Sequence, residues 1–122
     1  MPRDLRAYLW DIEQAAGNIE IFTQGKQLSD YQRDAMLRAA VERCFERMGE
    51  ALVQVQRLFP EVGSRIANTK QIIAFRNRLI HGYATVRDEL VWEIVQTDLA
   101  TLRQQAADLL HEIECRNSDG LQ

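Results

Sequence analysis

Apolar residues recur along this chain at spacings of three and four, the period of an amphipathic helix rather than a strand. Leu5, Leu9, Ile12, Ala16 and Ile19 form one stripe and predict a first helix from about Asp4 to Thr23, with Gly25 able to end it. A second stripe of Leu37, Val41, Cys44, Met48, Leu52, Val55 and Phe59 predicts a long second helix. Ser29 and Gln32 have the S-x-x-Q spacing of a capping box at its start, and Pro60 marks its end. After a loop through EVGSRIAN, a third helix covers roughly Thr69 to Ile80, and Gly82 suits the left-handed position beyond it. Thr85 and Asp88 can cap a fourth helix, whose apolar face is Val91, Ile94, Val95, Leu102, Leu109 and Ile113. The period of two that marks a half-buried strand is missing. The expected fold is all-α: an antiparallel, up-down bundle of four to five helices in a single domain over residues 1–122, frayed from about residue 115.

Composition narrows this picture without redirecting it. With 27% charged and 46% hydrophobic residues in 122, the chain can bury one core and is neither disordered nor membranous in character. No apolar run approaches the roughly 18 residues of a membrane span. Acids in MPRDLRAYLWDIEQ stand where a signal peptide would be apolar, so the expected location is cytoplasmic. Cys44 and Cys115 are far apart and read as free thiols. His111 and Cys115 share a helix face, but two ligands do not make a metal site, and neither metal nor cofactor is expected. Trp10, Trp92 and Tyr31 read as packing residues, Glu46 as a solvated or paired acid.

Charge is more informative in its distribution than in its total. The net charge is −3, yet residues 62–87 hold no acid and five cations: Arg65, Lys70, Arg76, Arg78 and Arg87. A basic segment on an acidic protein suits a compact anionic target, or salt bridges to the acidic helices.

The third helix carries the chemistry, in RNRLIHGY (residues 76–83). On a wheel of about 100° per residue, Phe75, Leu79 and Ile80 anchor the helix, and Asn77 and His81 lie together on its flank. Arg76 falls inside the apolar stripe, an expensive position for a guanidinium that cannot lose its charge. Either it reaches an acid on the second helix, with Asp34 the best placed, or the stripe faces a cleft between subunits. Arginine can clamp a phosphate, and histidine can move a proton near neutral pH. Those residues suffice for cleaving RNA by its own 2′-hydroxyl without a metal. The reaction wants both a base and an acid, however, and a two-fold dimer would bring two histidines to one cleft.

Arg76, Asn77, His81 and Tyr83, as R-N-x-x-x-H-x-Y, resemble the signature of the HepT-like branch of the HEPN superfamily. Its members are small helical-bundle proteins encoded beside minimal nucleotidyltransferases in prokaryotic toxin–antitoxin pairs. YQRDAMLRAAVERCFERMGEAL resembles the family's Y-x-R-D and G-E-A pattern, and RNRLIHGYATV with ELVWEIV resembles its downstream pattern. The resemblance spans about residues 4 to 114. It implies a metal-independent endoribonuclease toxin, dimerising around the third helix, with Arg76 and His81 of both protomers lining the cleft. Asn77 can hydrogen-bond the imidazole or the ligand, with Arg78 and the Tyr83 hydroxyl as further auxiliary groups, and the resemblance leaves Glu50, beside Asp34, a candidate supporting residue. Tyr83 would be the tyrosine to which the partner nucleotidyltransferase antitoxin attaches AMP. SRIANTKQ replaces a common Pro-Trp pair, and Arg87 stands where an acid is common, which leaves substrate preference open. Two other readings remain: a non-catalytic subunit presenting nucleotide or substrate to the nucleotidyltransferase, and a structural oligomer with an Arg76–Asp34 core pair.

Overall fold

The computed structural model describes residues 4–82 and 87–120, the last four of these as backbone only. Among the described residues the chain is helical, with no strand. The elements are α1 (Leu5–Thr23), α2 (Leu28–Arg33), α3 (Ala35–Leu58), α4 (Pro60–Gly63), α5 (Thr69–Ile80), α6 (Asp88–Thr97) and α7 (Leu99–Gly120). α1 starts where Asp4 accepts a hydrogen bond from the Arg6 amide at 3.0 Å, satisfying one of the unpaired donors of a first turn. Four helices do most of the packing. α3 lies between α1 and α5, and α7 covers the other side of α1, while α6 bridges α2 and α7.

The expected second helix is two. Asp34 takes an extended conformation (φ −106°, ψ 98°) between α2 and α3, and its carboxylate accepts the Leu37 amide at 3.1 Å. The start of α2 is held by Asp30, whose carboxylate accepts the Gln27 amide at 2.8 Å, rather than by Ser29 and Gln32. The expected fourth helix also divides, at Asp98, into α6 and α7. Arg87 occupies the position before α6 and makes no side-chain cap, and Thr85 lies outside the described residues. The EVGSRIAN loop contains the short α4, entered through Pro60, and closes on Asn68 in the left-handed region (φ 62°).

The core follows the predicted stripes. Leu9, Ile12, Ala16 and Ile19 of α1 meet Val41, Met48, Leu52 and Val55 of α3, all fully buried. Phe45 and Phe75 join α3 to α5 edge to face, with ring centroids 5.0 Å apart. Trp92 packs on Tyr31 at 5.6 Å, but Trp10 is half exposed and takes no part in the core. None of the described helices is long and apolar enough to cross a membrane.

Candidate active site on the third main helix

α5 forms over the predicted range, and its end places His81. The His81 amide donates to the Asn77 carbonyl at 3.1 Å, and Gly82 follows in the left-handed region (φ 64°), which ends the helix. The side chain of His81 is exposed at the helix terminus.

Arg76 is positioned by a gap in α3. A Cβ at Gly49 would stand 2.4 Å from Arg76 Cβ and 2.6 Å from its Cγ, so only glycine lets the stem of Arg76 lie directly on the α3 backbone. Glycine inside a helix costs about 1 kcal/mol relative to alanine, and the close approach explains its presence. The guanidinium turns back to its neighbour: Nη1 donates to Asn77 Oδ1 at 2.9 Å. Arginine has no acceptor atom, so this contact also settles which end of the amide faces it. Arg76 Nε is buried with no hydrogen-bond partner among the described residues.

The expected Arg76–Asp34 pair does not form. Asp34 is exposed and its carboxylate is committed to the first turn of α3, a role that the break between α2 and α3 created. Glu50 is exposed too, on the wall of a polar cavity of about 520 Å³ between α1 and α3, with Arg43 and Arg47. Neither acid makes an ion pair or hydrogen bond with Arg76 among the described residues. Arg78 is exposed, about 200° around α5 from Arg76, and Tyr83 lies outside the described residues.

Arg76 and His81 do not face each other within one chain. Five residues apart, they are separated by about 140° around the helix and about 7.5 Å along it. Asn77 stands between them, next to Arg76 in sequence and one turn before His81. Ile73 and Ile80 complete this face. Ile80 is 48% exposed and Ile73 half-buried, so the chain leaves an apolar strip open on either side of Arg76 and Asn77.

Tyr31 packs in the core as expected, but the surroundings of its hydroxyl and of half-buried Glu42 gave no sign in the sequence. The Tyr31 hydroxyl is buried without a hydrogen-bond partner among the described residues, and burial, then Glu42 and Asp88, push its pKa above the usual tyrosine range. Burial, then Asp88 and Glu46, likewise raise the Glu42 carboxyl. Only the mid-helix glycine at 49 gave a readable sign of close packing. His111 and Cys115 touch at 3.5 Å on the exposed face of α7, but no group of three metal-ligating side chains occurs among the described residues.

The profile of the ribonuclease HepT-like family matches residues 12–109, which include the whole of α5 and its histidine. The chain belongs to that family. Similar relatives include "Putative RNase MJ1216" of Methanocaldococcus jannaschii, 27% identical with 98% of each chain covered. "Putative RNase MJ1380" of the same organism is 31% identical over 84% of this chain and 94% of its own. "Probable ribonuclease HepT" of Thermococcus cleftensis is 33% identical over 84% and 93%. No solved structure matches the chain. In this HepT-like chain, Arg76 and Asn77 of α5 and His81 at its C-terminal cap all lie inside the matched span.

Proposed function

We propose that this HepT-like chain is a metal-independent endoribonuclease that works as a homodimer, and that it is the toxin of a toxin–antitoxin pair. The observation that carries the reading is Arg76. Its stem is seated on Gly49 and its guanidinium is held by Asn77, no acid among the described residues pairs with it, and it lies in an apolar strip that a second copy could cover. A cation held in place without an acidic partner is pre-organised for an anion, and a buried site strengthens that attraction. The names of the relatives point to RNA as the source of the anion.

Two copies meeting along Ile73 and Ile80 would bring both Arg76 and both His81 to one cleft. One imidazole takes the proton of the RNA 2′-hydroxyl, and the 2′-oxygen attacks phosphorus. The bond to the 5′-oxygen breaks, and the imidazolium of the partner subunit gives that oxygen its proton. The products are a 2′,3′-cyclic phosphate and a 5′-hydroxyl, and Arg76 stabilises the charge gathering on the phosphoryl oxygens. Tyr83, two residues after His81, is the proposed acceptor of AMP from a minimal nucleotidyltransferase antitoxin. A bulky anion there would occupy the phosphate position and shut RNA out.

The test is RNA cleavage and sedimentation by the purified protein and by His81→Ala. Wild type is expected to cleave as a dimer, and His81→Ala to remain a dimer without cleaving. Equal cleavage by both would remove His81 from the chemistry. An uncleaving wild type, unmodified by mass, would favour the non-catalytic subunit. Intact mass after co-expression with the neighbouring nucleotidyltransferase checks the rest: the expected gain is in AMP steps, lost in Tyr83→Phe.

A further inference from the structure

On the side of α5 away from Arg76, a slot of about 160 Å³ opens between α5 and α6. Ala74, Phe75, Leu90 and Ile94 form its apolar walls, and Gln71 and Arg78 stand at its rim. Ala74, Arg78 and His81 are spaced i, i+4 and i+7, so the slot lies on the line that leads to His81. Arg78 is only one turn from the histidine, about 4.5 Å of rise. It is exposed and makes no ion pair among the described residues. This side stays open if the Ile73–Ile80 strip is covered.

We propose that the slot seats one nucleobase of the RNA, next to the phosphodiester at His81; the inference rests on the ribonuclease reading. The volume is below the 300 Å³ or so of a small-molecule pocket and suits a single flat ring system. Apolar walls accept the faces of a base. The Gln71 amide offers one donating and one accepting end to its edge, and Arg78 supplies a cation for the attached phosphate. The slot has a chemical purpose. Attack by a 2′-hydroxyl needs its oxygen in line with the departing 5′-oxygen, which stacked A-form RNA does not allow. Drawing one base into the slot opens that linkage.

Methyl NMR of the wild-type chain, titrated with AMP, GMP, CMP and UMP and with ribose 5-phosphate as the control, tests this. At least one nucleotide should shift the Ala74, Leu90 and Ile94 methyls with an affinity about tenfold or more above ribose 5-phosphate. Ala74→Leu, at an exposed position, should plug the slot and erase that advantage, whereas Arg78→Ala should weaken nucleotide and sugar phosphate alike. Methyls unmoved by all four nucleotides, or moved equally by ribose 5-phosphate, overturn the proposal. An RNA cleavage assay on the same sample keeps the two ideas apart. Cleavage without nucleotide binding sinks the slot alone, and binding without cleavage sinks the ribonuclease alone.

Discussion

The cations of α7 and those of α5 live under opposite rules. Across the α1–α7 seam, Arg103 reaches Glu20 at 2.8 Å, and farther along α7 Glu112 takes Arg65 at 2.7 Å. The Glu112 carboxyl is held below the ordinary glutamate range by its hydrogen bond to Arg65. These are exposed pairs of opposite charge, and such pairs contribute at most about 1 kcal/mol. On α5, Arg76 and Arg78 have no acid at all among the described residues. Arg76 is instead fixed by a glycine and an amide, on a helix that Phe75 anchors to Phe45 of α3. The seam uses charge to decorate a fold that the core already holds. The α5 face holds charge in place and leaves it unneutralised, which is what a phosphate site requires.

That contrast can be broken in order of size. His81→Ala should reduce RNA cleavage by roughly 10²–10⁴-fold, the usual contribution of a general acid or base, with an unchanged melting curve. A parallel drop in thermal stability would mean that the histidine is structural. Gly49→Ala should come next. The new methyl collides with the Arg76 stem, so a stability loss of about 1–3 kcal/mol is expected in denaturant titration, together with a fall in cleavage. Normal stability and normal cleavage in Gly49→Ala would show that the close approach is unimportant. Arg103→Ala should change stability by less than about 1 kcal/mol and leave cleavage as it was, since the seam plays no part in the chemistry. A large loss of activity there would erase the distinction between the two regions.

The smallest effect belongs to Glu42. Burial raises its folded-state pKa above the unfolded value, so at neutral pH the folded chain carries this carboxylate at a disadvantage. Between the unfolded and folded pKa values the native state binds more protons, so this group's contribution becomes less favourable as pH rises through that window. Glu42→Gln should therefore raise the melting temperature slightly at pH 7.5, with the gain shrinking as the buffer is made acidic. A gain that grows on acidification would show that another group governs the effect.

How far the chain could be read without coordinates also differs between regions. α1 and α5 were legible almost to the residue, because their apolar periods end at Gly25 and Gly82. The breaks at Asp34 and Asp98 were not, because the apolar period carries on across each and only one backbone position leaves the helix. Near the start of α2 the sequence pointed to Ser29 with Gln32, whereas the carboxylate of Asp30, which accepts the Gln27 amide, caps the helix. At the site, the residue types were visible but their partners were not. Arg76 looked like half of an ion pair because an acid is the ordinary neighbour of a half-buried arginine. Its neighbours proved to be a bare stretch of backbone and an amide next to it in sequence, and a pattern of charges registers neither.

The central claim is that Arg76 and His81 cleave RNA through its own 2′-hydroxyl, and the chemical ends of the products test it most directly. RNA should be incubated with unmodified wild-type protein in excess EDTA and the fragments analysed by mass. The expected fragments carry 2′,3′-cyclic phosphate and 5′-hydroxyl ends, in a yield that EDTA does not change and His81→Ala abolishes. Fragments with 3′-hydroxyl and 5′-phosphate ends, or cleavage that EDTA stops, would contradict it.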